Sequence, residues 1–380
     1  MFVDRIDLLP RGARVLVGLS GGVDSSVAAL LLKQRGFDVV GITLHLWEYG
    51  SGDPSPSRCC APEDIDDARR TAARLEIPFF TFDRREDFAG EVVEPFVEAY
   101  LGGITPSPCV ACNRDVKIGA FVGLARRLGA QAFATGHYAR SGAMEGAPTL
   151  LRGTDEDKDQ SYFLHGIGET ALSMLAMPLG ALDKPAVRAI AREHGLSNAN
   201  KPDSEDLCFT GGDHAGFVER RAKERVRPGA IVDAEGRVVG RHEGVHRFTI
   251  GQRKGLGVAL GKPMFVSAID PEQAIVRLGP VEDVEASGAL IGRVSWLDPT
   301  IPAARSPRTV GARIRYRHQG TPAVLVPRED GGAEVRFSTP ARAVTPGQVC
   351  VFYDGDRVLG GGTIVAALST GHRTDPGTES

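Results

Sequence analysis

The chain is poor in the residues that would tie it to an extracellular or membrane setting. Only six cysteines occur in 380 residues. They are too few and too scattered for a disulfide framework, so a reducing, cytoplasmic setting is expected, and any cysteine that does chemistry is catalytic, redox-active or metal-binding. No apolar run approaches the ~20 residues of a membrane span, and Met1-Phe2-Val3-Asp4-Arg5 lacks a signal-peptide layout. No membrane partner is expected. Neither sign of charge dominates, since the formal net charge is −3; this excludes a surface coated for nucleic acid but allows an RNA gripped locally. There is no internal repeat, no Walker Gly-Lys-Ser/Thr and no G-x-G-x-x-G. A hydrophobic content of 42% and a charged content of 24% are ordinary for a globular chain, and the length suggests two or three domains.

What is present is concentrated in Gly18-Leu19-Ser20-Gly21-Gly22-Val23-Asp24-Ser25. It follows the apolar run Val15-Leu16-Val17 and opens a helical run from Val27 to Leu32. A strand turning through glycines into a helix N-terminus makes an anion site: backbone N–H groups point at the ligand and the helix dipole adds positive charge. Adjacent glycines let phosphate oxygens come close. Ser20 and Ser25 can donate further hydrogen bonds, and Asp24 can act through Mg²⁺ or cap the helix. The segment Gly18 to Gly22 also fits G-x-S-x-G, but a hydrolase elbow needs strands before it, and only about a dozen residues precede this one. A nucleotide polyphosphate is the expected ligand.

Residues 14–195 alternate strand candidates (14–19, 38–44, 78–82, 131–135) with helical ones (24–35, 63–75, 86–100, 115–128, 184–194). That alternation predicts an α/β fold with a doubly wound parallel sheet, and in such sheets the ligand sits beyond the C-terminal strand ends, where the Ser20 turn falls. A mixed texture over 205–284 predicts a small central domain. From about 288 the pattern is β only, with strand candidates at 291–296, 310–316, 323–326, 334–337, 348–353 and 358–364, which predicts a small closed barrel. The expected boundaries are 1–204, 205–284 and 285–368, with 369–380 a disordered tail. In the barrel, Arg313-Ile314-Arg315-Tyr316-Arg317 alternates, so three arginines are expected on one strand face.

Cys109-Val110-Ala111-Cys112 lies in Thr105-Pro106-Ser107-Pro108-Cys109-Val110-Ala111-Cys112-Asn113-Arg114. Two prolines make a stiff exposed loop, expected to present Cys112 near a helix N-terminus, where a thiolate is favoured. A thioredoxin-like pair would sit after the first strand, and a zinc site needs a second close pair that the chain lacks. Cys208, beside Gly211-Gly212, is expected to be reactive. Cys350, in Val349-Cys350-Val351-Phe352, reads as core, and Cys59 and Cys60 read as structural.

An anion loop, a Pro-Cys-x-x-Cys-Asn and a remote Cys208-Phe209-Thr210-Gly211 together resemble the bacterial tRNA-specific 2-thiouridylase family over nearly the whole chain. Further segments fit it: Thr135-Gly136-His137-Tyr138-Ala139-Arg140, Lys158-Asp159-Gln160-Ser161-Tyr162-Phe163-Leu164, the run Thr249 to Gly257, and Ala343-Val344-Thr345-Pro346-Gly347-Gln348. The resemblance implies an ATP pyrophosphatase-type sheet, and that Gly18 to Ser25 hold the ATP phosphates while Leu44 and Gly136 line the adenosine pocket. It implies tRNA contact by His137, Lys158, Asp159, Gln160, Arg315, Tyr316 and Gln348, with Ser107, Pro108 and Cys109 flanking a target base drawn from its stack. It further implies a Cys208 persulfide charged by a persulfide donor protein, with Cys112 as the nucleophile that leaves a Cys112–Cys208 disulfide; a sulfide donor protein would serve instead only where an iron–sulfur cluster replaces the persulfide.

Many family members have Asp where this chain has Cys109. With Cys112 and Cys208 it makes three thiolates, enough to hold a [4Fe–4S] cluster with one iron open. The sequence leaves both routes standing, the persulfide route needing only two of the three. The rival functions are a small-molecule ATP ligase or amidotransferase, which needs no paired cysteines, and a non-catalytic RNA-binding or redox module.

Overall fold

The computed structural model describes residues 1–48, 62–203, 206–258 and 261–369. Cys59 and Cys60, and the tail beyond Ser369, lie outside the described residues. The chain divides into two compact units. One comprises Met1–Pro95, Pro108–His214 and Gly355–Leu359; the other takes Phe96–Ser107, Ala215–Asp354 and the chain from Gly360.

The first unit is built on five parallel strands: β1 (Arg14–Gly18), β2 (Asp38–His45), β3 (Phe79–Asp83), β4 (Ala132–Ala134) and β5 (Leu175–Ala176). Their spatial order is β3-β2-β1-β4-β5. Val15, Leu16 and Val17 of β1 are fully buried, the continuous apolar run expected of a strand covered on both faces. Helices α1 (Val23–Gln34), α2 (Pro62–Arg74), α3 (over 108–127) and α4 (Lys184–Glu193) fill the crossovers. Val27, Ala28, Ala29 and Leu32 of α1 join Val15, Val17, Ala132, Ala134, Val187 and Ala191 in one core. The order reverses between β1 and β4, so a crevice opens at their C-terminal ends. The loops starting at Leu19 and Thr135 both leave the sheet there.

Two features of this unit escaped the sequence pattern. Strand β5 is only two residues long. A hairpin of Ala139–Met144 and Ala147–Arg152 turns through Glu145 and Gly146, both at positive φ (53° and 83°), as a two-residue hairpin turn requires. Phe2–Asp4 adds to its edge, Phe2 opposite Met144.

The second unit holds a four-stranded sheet and a barrel. In the sheet, β6 (Gly229–Val232), β7 (Val238–His242), β8 (Phe265–Asp270) and β9 (Ile275–Gly279) run in the order β7-β6-β9-β8. Only β6 and β9 are parallel. The barrel strands are β10 (Glu285–Trp296), β11 (Arg308–Arg313), β12 (Thr321–Pro327), β13 (Ala333–Arg342), β14 (Val349–Asp354) and β15 (Arg357–Ser369), and β15 closes on both β10 and β14. Alternation sets the inside: Ala333, Val335 and Phe337 are buried while Arg336 is exposed.

One expectation fails here. Strand β11 stops at Arg313 instead of running to Tyr316, so the three arginines do not share a strand face. Arg313 is buried: its guanidinium donates to the His318 carbonyl at 2.9 Å and also to the Tyr316 carbonyl. It ties the turn that ends the strand, while Arg315 and Arg317 remain exposed. Cys350 is wholly buried in β14 as expected, and burial pushes its thiol pKa up.

Candidate active site

The anion loop is a close-fitted turn. After β1, the Leu19 N–H donates to the Ile42 carbonyl at 2.8 Å, and α1 starts from Gly22 with no side-chain cap. Gly21 has φ +75°, and a Cβ there would stand 2.2 Å from the Asp64 carbonyl oxygen; only glycine fits. Gly136, just after β4, lies directly on the first turn of α1, where a Cβ would come within 2.7 Å of the Ser25 nitrogen. The N–H groups of that turn have no carbonyl in their own helix to pair with.

The two loop serines differ. The Ser25 hydroxyl is buried, accepts from the Ser20 N–H at 3.1 Å and donates to the Gly22 carbonyl at 3.1 Å. It shapes the loop, whereas Ser20 is exposed and able to meet a ligand. From the segment after α4, Asn198 Nδ2 donates to the Gly21 carbonyl at 3.0 Å and to Ser26 Oγ at 2.8 Å. Lys201 reaches the same carbonyl at 3.4 Å while paired with Asp67 at 2.7 Å and with Asp64.

Asp24 does not cap α1. Both its carboxylate oxygens accept from Lys184 Nζ at 2.8 Å, and one also accepts from the Tyr138 hydroxyl at 2.8 Å. Lys184 also meets Asp203 at 2.7 Å, which binds Lys158 at 2.8 Å and Arg188 at 2.9 Å. Burial opposes the Asp203 charge, but hydrogen bonds from Lys158 and Lys184 outweigh it and hold its pKa below the usual carboxylate range. Burial and the Asp24 charge push the Tyr138 phenol up. Tyr138, Lys184, Asn198, Lys201 and Asp203 were not found from the sequence. The only local signal is the polar run Ser197 to Ser204 after a helix.

The cysteine loop differs from expectation. Helix α3 begins at Pro108, the position that suits a missing N–H, and runs as Pro108–Ala111, a π segment Cys112–Ile118, and Gly119–Arg127. Cys109 is exposed in the first turn. Cys112 is not displayed on a loop; it is 6% exposed and opens the π segment, a distortion common at functional sites. The adjoining Asn113 is buried, its Oδ1 without a partner among the described residues. Cys208 is half-buried in a turn whose Gly211 and Gly212 have φ +65° and +81°. Its neighbour Phe209 anchors the turn against Trp47 and Phe88 at ring distances of 6.2 and 5.6 Å. Among the described residues no three His, Cys, Asp or Glu form a metal-holding group. A cluster held by Cys109, Cys112 and Cys208 thus has no support in the structure.

The remaining site residues fall at several places. Leu44 is buried near the end of β2. His137 is half-buried, with Nδ1 2.8 Å from Thr135 Oγ1; burial, aided by Lys117, lowers its pKa to about 3. Gln160 Oε1 accepts from the Tyr138 N–H at 2.9 Å. Asp159 is 2% exposed and accepts from the N–H groups of Gly153 and Ser161 and from the Ser161 hydroxyl at 3.0–3.1 Å. Its carboxylate thus braces its own loop. Ser107 ends a strap, 104–107, that belongs to the second unit, while Pro108 is buried in the first. In the barrel, Arg315 donates to the Arg342 carbonyl at 3.1 Å, Tyr316 is half-buried, and Gln348 follows the turn at Thr345.

Comparison with known proteins gives the family. A family described as the tRNA methyl transferase HUP domain matches residues 13–212, its PRC-barrel domain 215–280, and an aminomethyltransferase beta-barrel domain 287–364. A tRNA-specific 2-thiouridylase MnmA of Sorangium cellulosum is 53% identical over 363 residues, covering 94% of this chain and 93% of that one. That of Roseiflexus castenholzii is 43% identical, covering 93% and 99%. Among solved structures, a 4-thiouridine synthetase–RNA complex with bound ATP is 16% identical at TM-score 0.34, covering 57% of this chain and 53% of that one. On the long, high-identity matches, the chain belongs to the tRNA-specific 2-thiouridylase family.

Proposed function

We infer that the protein catalyses ATP-dependent 2-thiolation of a tRNA uridine, at the wobble position. The observation that carries this reading is a phosphate-fitting turn, closed by Gly136 on the first turn of α1, in the same unit as Cys112 and Cys208. The family description speaks of methyl transfer, but a methyl donor needs neither a polyphosphate cradle nor two thiols.

A uridine C2 oxygen is a poor leaving group. It attacks the α-phosphorus of ATP, forming an O–P bond and expelling pyrophosphate. Ser20 and the N–H groups of the loop and first helical turn hold the phosphates. Asp24, which here pairs with Lys184, would exchange that partner to hold an accompanying Mg²⁺, which would screen phosphate charge. The terminal sulfur of a Cys208 persulfide, charged by a donor protein, then attacks C2 and AMP leaves. Cys112 thiolate attacks the Cys208 sulfur, the S–S bond to the new thiocarbonyl breaks, and a Cys112–Cys208 disulfide remains for a two-electron thiol reductant. This route needs two thiols, Cys112 and Cys208, and no iron–sulfur cluster.

Residues 1–204 serve as the ATP-binding catalytic domain, 205–284 as the central domain and 285–368 as a barrel that contacts tRNA through Arg315, Tyr316 and Gln348. His137, Lys158 and Gln160 contact tRNA near the loop, and Ser107, Pro108 and Cys109 flank the target base. The setting is cytoplasmic. Release of labelled AMP from ATP, dependent on unmodified tRNA, tests the activation step. AMP release without tRNA, or none with competent tRNA, contradicts it.

A further inference from the structure

Residues 249–257 form a built loop to which the reaction scheme gives no role. The Gln252 carboxamide closes it: Oε1 accepts from the Thr249 N–H and Nε2 donates to the Lys254 carbonyl, both at 3.0 Å. The Gly251 N–H donates to the Val266 carbonyl at 2.8 Å, and the Val266 N–H to the Gln252 carbonyl at 2.9 Å. Leu256 is buried in the core of the four-stranded sheet, with Ile250 packed on it. Between these anchors the glycines at 251, 255 and 257, with φ +84°, +71° and +69°, turn the chain so that Arg253 and Lys254 stand exposed on the crest.

The charge there is one-sided. From Gly244 to Ile269 the sequence has no Asp or Glu, yet it carries Arg247, Arg253, Lys254 and Lys262. Arg247 is paired with Glu219. Several other exposed arginines of the same unit, Arg225, Arg237, Arg328, Arg336 and Arg342, each meet a carboxylate, whereas exposed Arg315 meets a backbone carbonyl. Arg253 and Lys254 have no ion pair among the described residues. Two adjacent cations on a crest fixed by a glutamine clamp suit successive phosphates of a nucleic-acid backbone. At its base the loop holds the strap 104–107: Thr105 Oγ1 donates to Thr249 Oγ1 at 3.3 Å, and the Thr105 N–H donates to the Pro346 carbonyl at 3.3 Å. Residue 107 runs straight into α3, which carries Cys109 and Cys112.

We propose that 249–257 is an RNA-backbone docking loop, in which Arg253 and Lys254 contact phosphates of the tRNA substrate while Thr249 holds the strap that enters the cysteine helix. The proposal rests on the tRNA reading above and adds a contact surface to it. Affinity for an unmodified tRNA transcript, measured on the full chain between 50 and 200 mM KCl, tests it. Each lost phosphate contact lowers the slope of log affinity against log salt by ~0.7–0.9. The Arg253→Gln/Lys254→Gln variant is therefore expected to lose about 1.5 from the slope and to bind roughly 30-fold more weakly at 0.1 M salt, with ATP binding unchanged. Gln252→Ala keeps both charges but opens the clamp, and is expected to weaken tRNA binding too. An unchanged slope and affinity in the double variant overturns the assignment. So does an equal effect from Arg328→Gln/Arg336→Gln, which removes the same charge from the barrel. Failure of the unaltered protein to bind tRNA would instead sink the thiouridylase reading, and this loop's role with it.

Discussion

Replacing Gly136 by alanine probes the meeting of β4's exit loop with α1. The added methyl would stand 2.7 Å from the Ser25 nitrogen and 2.8 Å from the Asp24 carbonyl carbon, where ordinary contact begins at 3.4 Å. Both neighbours are backbone in a packed helix, so the helix start or the exit loop must move by several tenths of an ångström. Such overpacking costs about 1–3 kcal/mol, or roughly 2–12 °C in Tm for a unit of this size. The displaced atoms are those that would face the phosphates, so ATP affinity should fall by about tenfold or more, the equivalent of ~1.4 kcal/mol. Gly123 is the control: it lies inside α3 with nothing within 4 Å of a Cβ, and alanine there should raise stability by up to about 1 kcal/mol. Thermal unfolding by circular dichroism and ATP binding by calorimetry read both variants. Wild-type Tm and ATP affinity in Gly136→Ala would refute the close approach and, with it, the placement of phosphates on α1.

Three further outcomes follow from the geometry. Cys208→Ala and Cys112→Ala should each abolish thiolation while leaving ATP binding within about twofold, as read on mercury gels and by calorimetry; a parallel loss of ATP binding would make these cysteines structural. Lys184→Met leaves Asp24 and Asp203 without their shared cation. Breaking a fully buried pair costs ~3–5 kcal/mol, but these carboxylates keep about a third of their exposure, so about 2 kcal/mol in denaturant titration is expected, together with weaker ATP binding. His165, fully buried with Nδ1 on the Tyr162 carbonyl, has its pKa lowered to about 4 by burial. The folded state thus binds fewer protons than the unfolded one between pH 6.5 and 4, and stability falls through that window on acidification, by ~3 kcal/mol from this group. His165→Asn should flatten the slope, and an unaltered profile would discount the burial effect.

Much of the scaffold was legible because the pattern that encodes it is local. Val15-Leu16-Val17 and its counterparts read as buried parallel strands, and the period-2 alternation around Val335 reads as barrel wall. The loop from Gly18 to Ser25 announced itself through glycines required by backbone geometry. What was missed depends on partners far apart in sequence. Lys184 meets Asp24 across 160 residues, and nothing near either residue signals the other. Asp159, which by its neighbours looks like a solvated charge, is buried by backbone donors from Gly153 and Ser161. The arginine alternation after β11 suggested a strand, but Arg313 satisfies the carbonyls of its own turn and ends it. Helix α3 starts at Pro108, seven residues before the helical pattern at 115, because Pro106 and Pro108 read as loop although proline at a first helical position is favoured.

The most direct test of the account is thiolation of unmodified tRNA by anaerobically purified protein with ATP and a persulfide donor, read as retardation on a mercury-containing gel, with iron assayed in the same preparation. The account predicts thiolated tRNA from iron-free protein, lost in Cys208→Ala. Product that appears only with iron bound would contradict the persulfide route, and no product with competent tRNA and donor would contradict the assignment of thiolation itself.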